Sequence, residues 1–251
     1  WRRTPRTRDE RMAHADRLAE VVRTLGADLG VLFDTDGERI EIVDAIGNQL
    51  NRGRLLATVT SLVAQTKASA RIAVPVTAPS AVECVVQARG GSVIRTKTDP
   101  RYMMTLASIP NEKIAFAGDM QGGFIFPEFH PAFDGPFALA KILEMLSWLQ
   151  KPLHEVVAEL PSIYMAQHEV PCPWQRKGAV MRALTVEAQE SDQNVELIDG
   201  VRLIKSANEW VLALPDAAEP IFRVRAEGAT LADAHDRAEE WAAKIRTLSA
   251  E

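Results

Sequence analysis

Apolar positions recur at helical spacing near the start of the chain. Met12, Ala15, Leu18, Ala19, Val22 and Leu25 mark one face of a helix that opens on a capping box, Thr7 with Glu10, and stops at Gly26. The pattern then shortens. Residues 27–33 form an apolar run of strand length and 40–43 a second, separated by Asp34-Thr35-Asp36-Gly37-Glu38-Arg39. From there helical and strand patterns alternate: helix 55–67, strand 71–76, a helix near 80–88, strand 92–96, a short helix near 100–108, strands 113–117 and 124–126, and a long helix 136–149. Alternation at these lengths predicts a mainly parallel sheet with helices on its faces.

The remainder follows another rule. Lys151-Pro152 and Pro161 break the pattern, and a strand at 164–170 and a helix at 175–187 come next. Strands 195–198 and 201–205 are expected to pair across Asp199-Gly200, a hairpin signal. Strands 210–214 and 221–226 precede a closing helix with Leu231, Ala234, Ala238, Trp241, Ala242 and Ile245 on its inner face. The expected fold class is α/β, with mixed and mainly parallel sheet layers to about residue 155, followed by a C-terminal α+β module.

Charge and composition narrow the partners. A formal net charge of −5 argues against general attraction to nucleic acid. No apolar run reaches the ~18–20 residues of a membrane span, and the start lacks the apolar core of a secretory signal. Cys84 and Cys172 are far apart and form no metal pattern, which fits buried reduced thiols in a cytoplasmic protein. The chain opens on Trp1 rather than methionine, so a piece of a longer product is expected.

Three loops could carry chemistry. In the first, Asp34, Asp36 and Glu38 alternate at the end of an apolar strand. Alternate residues of an extended loop converge on one side, and hard oxygen ligands suit Mg²⁺. A calcium EF-hand is excluded, because its glycine would fall on Arg39 and its closing glutamate on Ala45. A plain polar hairpin turn stays open as the alternative. The second loop is Gly118-Asp119-Met120-Gln121-Gly122-Gly123. Its glycines let backbone approach a ligand, and Asp119 and Gln121 could bond sugar hydroxyls. A glycine turn without a ligand is the simpler alternative. The third runs from Trp210 through Leu214-Pro215-Asp216-Ala217-Ala218-Glu219-Pro220 into the next strand.

In this order the three loops resemble those of the α-D-phosphohexomutase family, which includes phosphomannomutase and phosphoglucomutase. The family's four domains carry a phosphoserine in the first, an Asp-Gly-Asp-Gly-Asp-Arg magnesium loop in the second, a Gly-Glu-x-Ser-Gly sugar loop in the third and an Arg-x-Ser-Gly-Thr-Glu-Pro phosphate loop in the fourth. The resemblance implies that residues 1–48 are the end of the second domain, 49–155 the third and 160–251 the fourth. It implies a magnesium site at Asp34, Asp36 and Glu38, sugar contacts at Gly118, Asp119, Gln121 and Gly122, and further contacts at Arg39, Lys97 and Glu219; Arg223 is a candidate contact added from the next strand. No part of the chain corresponds to the phosphoserine domain.

The departures are as informative. Glu38 stands for the last metal-loop Asp, Asp119 for Glu and Gln121 for Ser. Leu214 stands for the phosphate-loop Arg, Asp216 for Ser and Ala218 for Thr, leaving Glu219 and Pro220. A phosphate site needs a cation and donors. Arg223 or Arg225 on the next strand could supply the cation, or the two could form a solvated basic edge. Near the family's Lys-x-Gly-His segment Lys97 matches, while Asp99, Pro100 and Met104 do not. The resulting expectation is a catalytically inactive binding or regulatory module for a hexose phosphate or nucleotide sugar. It would be cytoplasmic and joined to an upstream domain, as where a sugar nucleotidyltransferase precedes a mutase-like region. The alternative is part of an active phosphohexomutase whose phosphoserine lies outside this chain.

Overall fold

A computed structural model describes residues 8–191 and 194–250. Thr7, the expected capping residue of the first helix, lies outside them. The chain divides between Pro161 and Ser162 into two units, each with its own core.

In the first unit, helix α1 (Arg8–Leu25) lies on an antiparallel hairpin, β1 (Leu29–Phe33) with β2 (Ile40–Asp44). Ala19 and Val22 of the helix pack on Val43 of the hairpin. Gly30 permits this approach, since a Cβ there would lie 2.6 Å from the Val22 side chain. Next comes α2 (Arg52–Thr66), started by Asn51, whose side chain accepts the Arg54 amide. Every residue from Leu55 to Ala64 is buried, Thr58, Thr60 and Ser61 included, so this helix is enclosed on all sides within the unit.

The four-stranded sheet has the order β4-β3-β5-β6, with β3 (Arg71–Pro75), β4 (Ser92–Thr96), β5 (Ile114–Gly118) and β6 (Phe124–Ile125). β3 runs parallel to both β4 and β5, and β6 is antiparallel to β5. Side chains alternate between two packed faces. Ile72 and Val74 join Phe116, Leu56 and Ile142 on one, while Ala73 meets Met103 and Ile125 on the other. Helices α3 (Ala81–Gln87), α4 (Pro100–Ala107), α5 (Gly135–Leu149) and α6 (Leu153–Ala158) complete the layers. Aspartates start two of them: Asp99 accepts the Arg101 amide and Asp134 the Phe137 amide. Burial of each large core side chain contributes about 1.5–3 kcal/mol. Cys84, expected to be buried, is exposed on α3, and Cys172 is buried.

The second unit is an antiparallel sheet of order β7-β11-β10-β9-β8. Its elements are β7 (Met165–Pro171), α7 (Trp174–Glu190), β8 (Asn194–Glu196), β9 (Val201–Ser206), β10 (Glu209–Pro215), β11 (Ile221–Glu227) and α8 (Leu231–Ala250). Val180 and Leu184 of α7 and Trp241 and Ile245 of α8 pack on Val170, Phe222 and Val224. The hairpin expected across Asp199-Gly200 forms with a longer turn. Glu196 faces Arg202, and Gly200 takes the left-handed conformation (φ 84°) within the connection. The observed architecture is thus α/β followed by α+β, as the periodicities predict.

Candidate functional site

Two loops of the first unit meet. In the β1–β2 loop, Asp34 Oδ1 accepts the backbone amides of Glu38 (2.9 Å) and Arg39 (3.1 Å), which folds the loop back on itself. In the β5–β6 loop, Asp119 Oδ1 accepts the amides of Gln121 and Gly123, both at 2.7 Å. The two are then stitched together: the Ile40 amide donates to the Gly122 carbonyl at 2.9 Å, and Arg39 bridges to Gly123. On the other side the Gly135 amide donates to the Gly37 carbonyl at 2.8 Å. Gly122 has φ 88°, and a Cβ there would sit 2.2 Å from the Ile40 carbonyl oxygen, so no other residue allows this contact unstrained. Arg39 places Nε 3.5 Å from Asp119 Oδ2 and Nη1 3.9 Å from Asp34 Oδ2.

Beside this junction is a cleft of about 270 Å³, lined by Leu32, Phe33, Asp34, Thr35, Asp36, Arg39, Ile40, Glu41, Arg52 and Gln121. Of the expected residues, Asp34, Asp36, Arg39 and Gln121 come together here. Asp119 and Gly122 act through the loop backbone, and Gly118 packs against Leu56, Phe116 and Phe124. Glu38 is exposed and Lys97 stands over the Tyr102 ring at 5.9 Å; neither is part of the lining. The cleft adds two residues that the loops alone do not reveal. Glu41 follows Arg39 by two positions, so strand alternation brings it to the same side. Arg52 begins α2, three residues before the start expected from periodicity at 55; the signal that marks it is Asn51, a capping residue type.

The expected magnesium ligands do not assemble. Asp34 uses one oxygen on two amides, Asp36 and Glu38 are exposed, and Glu38 lies outside the lining. Among the described residues no three His, Cys, Asp or Glu side chains are arranged to hold a metal ion. As they stand, these residues do not fit Mg²⁺.

The third loop belongs to the second unit. The β10–β11 connection closes with the Asp216 amide donating to the Ile221 carbonyl at 3.0 Å. Asp216 Oδ1 accepts the amides of Ala218 (2.8 Å) and Glu219 (2.9 Å), and Arg223 Nε donates to Oδ2 at 2.8 Å. Arg223 also pairs with Glu219 at 3.1 Å and with Glu169. Arg223 is therefore enclosed by carboxylates and is not part of a solvated basic edge. Its hydrogen bond is the main influence holding the Asp216 carboxyl below the ordinary range; burial pushes the other way, and the two amides reinforce the lowering. The same bond raises Arg223. From beneath, the ammonium of buried Lys177 donates to the carbonyls of Asp216 and Glu219, with the Trp174 ring 3.8 Å from it.

Comparison with known proteins gives a consistent picture. Residues 53–164 match the family model described as phosphoglucomutase/phosphomannomutase, alpha/beta/alpha domain III. A probable phosphoglucosamine mutase of Methanopyrus kandleri is 33% identical over 223 residues, covering 89% of this chain and 48% of the relative. The chain spans about half the length of the curated relatives it matches. A phosphoglucomutase/phosphomannomutase family protein of Burkholderia thailandensis shares the fold, with a TM-score of 0.72 at 24% identity over 92% of this chain and 51% of that one. N-acetylphosphoglucosamine mutase of Aspergillus fumigatus, solved with GlcNAc-6P and magnesium, has a TM-score of 0.60 at 13% identity over 87% of this chain and 48% of that one. The matched domain and the mutase relatives make the chain similar to the α-D-phosphohexomutase family, and the solved structures show the shared fold.

Proposed function

We propose that this chain is the sugar-holding part of an active phosphohexomutase that moves a phosphoryl group between two hydroxyls of one hexose, with the phosphoserine supplied by residues outside it. The observation that carries this reading is the junction of the 34–39 and 118–123 loops around one cleft, with Arg39 reaching toward Asp34 and Asp119. The mutase names of the relatives favour an enzyme over the inactive regulatory module expected from the loop substitutions. The role of this chain is positional: carboxylate and amide groups orient sugar hydroxyls, and a rigid frame holds them in register.

Glucosamine 6-phosphate tests the reading. The chain alone is expected to bind it without converting it. Joined to the N-terminal half of the Methanopyrus kandleri relative, it is expected to yield glucosamine 1-phosphate. A folded chain that binds no hexose phosphate, and whose fusion turns none over, would remove the proposal.

A further inference from the structure

The β1–β2 hairpin uses one of its two edges. A hydrogen bond from the Asp34 amide to the Arg39 carbonyl (3.1 Å) closes it, so Gly30, Leu32 and Asp34 turn their backbone groups toward β2. Leu29, Val31 and Phe33 turn theirs away. On β2 the outward groups are taken: the Ile40 amide donates to Gly122 at 2.9 Å, the Ile42 carbonyl accepts the Leu50 amide at 3.0 Å, and the Asp44 amide donates to Asn48 at 3.0 Å. On β1 no strand lies along the outer edge, and the Leu29 and Val31 amides and carbonyls have no partner, among the described residues. Both faces of that edge are covered by apolar groups. The side chains of Leu29, Val31 and Phe33 pack on the main core, and Leu18 and Val22 of α1 lie over Gly30. The strand reads Leu-Gly-Val-Leu-Phe and carries none of the charges or prolines that protect a natural edge.

A second observation concerns α1. Its Leu18 lies over β1, and its Ala19 packs with Val43 of β2. Further round on the Ala19 side, Asp16 accepts from Gln49 and Arg23 lies against Gly47, both beyond β2. Val21 and Leu25 follow Leu18 by three and seven residues, so they lie on the other side, above the open edge of β1. Leu25 is 74% exposed and Val21 49%. An unpaired strand edge and an apolar overhang thus border the same space.

We propose that the outer edge of β1 is the docking site for a β-strand of the polypeptide part that carries the phosphoserine. That strand is apolar on both faces, because α1 covers one side of the sheet and the main core the other. It adds to the sheet by backbone pairing with Leu29 and Val31 and packs under Val21 and Leu25. A two-stranded sheet becomes three-stranded in the process, the size at which sheets gain independent stability. The identity of the partner rests on the function proposed above; the curated relatives are about twice as long as the region matched here, so such a mutase has another half to join.

The experiment titrates the full chain with the N-terminal half of the Methanopyrus kandleri relative and follows hydrogen exchange at the Leu29 and Val31 amides. A saturable one-to-one complex that slows exchange at both is expected. Val31→Pro removes an outward N–H and leaves the ladder to β2 intact, and Leu25→Asp charges the overhang. Each is expected to weaken the complex by about tenfold or more. Ile46→Asp, at an exposed apolar position beyond β2, is expected to leave it unchanged. Thermal melting checks the variants; Leu25 is exposed, so Leu25→Asp keeps its midpoint and carries the test if Val31→Pro fails to fold. A complex as tight with Leu25→Asp as with wild type overturns the proposal, and so does an equal loss with Ile46→Asp. A dimer of the chain alone that Leu25→Asp weakens gives the edge to a second copy and overturns the partner named here. A folded chain that forms no complex with the half also overturns it. Glucosamine 6-phosphate binding by the chain alone judges the sugar-holding reading separately, so either can fail while the other stands.

Discussion

Asp34, Asp119 and Asp216 make the same local arrangement in three loops: one carboxylate oxygen accepts two backbone amides two to five residues ahead. Asp44 does so as well, with Ile46 and Asn48. An aspartate at a strand end can turn inward to cap its loop or outward to a ligand, and sequence shows the carboxylate without its direction. This is why the three loops were legible as loops with chemistry, while the roles within them were not. It also bears on magnesium. Titration with Mg²⁺ is expected to show binding on the order of millimolar or weaker, because Asp36 and Glu38 would have to turn toward an Asp34 that already serves the turn. Tight saturable heat that Asp36→Asn weakens would show that the three carboxylates do converge.

The β10–β11 connection shows what a substitution can do to an element. Leu214 pairs opposite Arg223 in the ladder, and the carboxylate of Asp216 reaches the same arginine. The loop is thus held by an internal ion network in place of a ligand. The carboxyl is lowered in the folded state, so its stabilisation is complete above the ordinary carboxylate pKa of about 4 and fades as pH falls toward the depressed value. Asp216→Asn is expected to destabilise the second unit by about 1–2 kcal/mol at neutral pH. The difference from wild type is expected to shrink below pH ~4. Melting curves at pH 7 and pH 3 check it; a penalty of equal size at both would mean that charge is irrelevant there. The expected turn at Asp199-Gly200 shows a complementary limit. The dipeptide marked the hairpin correctly, but pairing of Val195 with Leu203 fixed a longer connection that the local signal does not encode.

At the scale of the whole molecule, periodicity carried most of the fold. Short apolar runs between helical segments located the strands of the parallel sheet, because both faces of β3 and β5 are buried and their residues are correspondingly apolar. The short helix α6 was missed behind Pro152, since six residues give too few turns to establish a period. The position of the cleft was not legible, because it depends on residues 33 to 41 meeting residues about eighty positions later. Two separate cores imply two folding units. Expressed alone, residues 162–251 are expected to melt in one cooperative transition, since Val170, Phe222, Val224 and Trp241 form a complete core with α7 and α8. A fragment without fixed tertiary structure would show that this core needs the rest of the chain.

The hydrogen bonds from Ile40 to Gly122 and from Gly135 to Gly37 have a consequence for recognition. They clamp the cleft's rim from two sides before any ligand arrives. A ligand therefore has little loop entropy to remove on this side, and each contact it makes is expressed nearly in full as affinity. Selection among sugars then depends on shape matching to a fixed frame, so a sugar of different hydroxyl geometry gains little by adjustment of the protein.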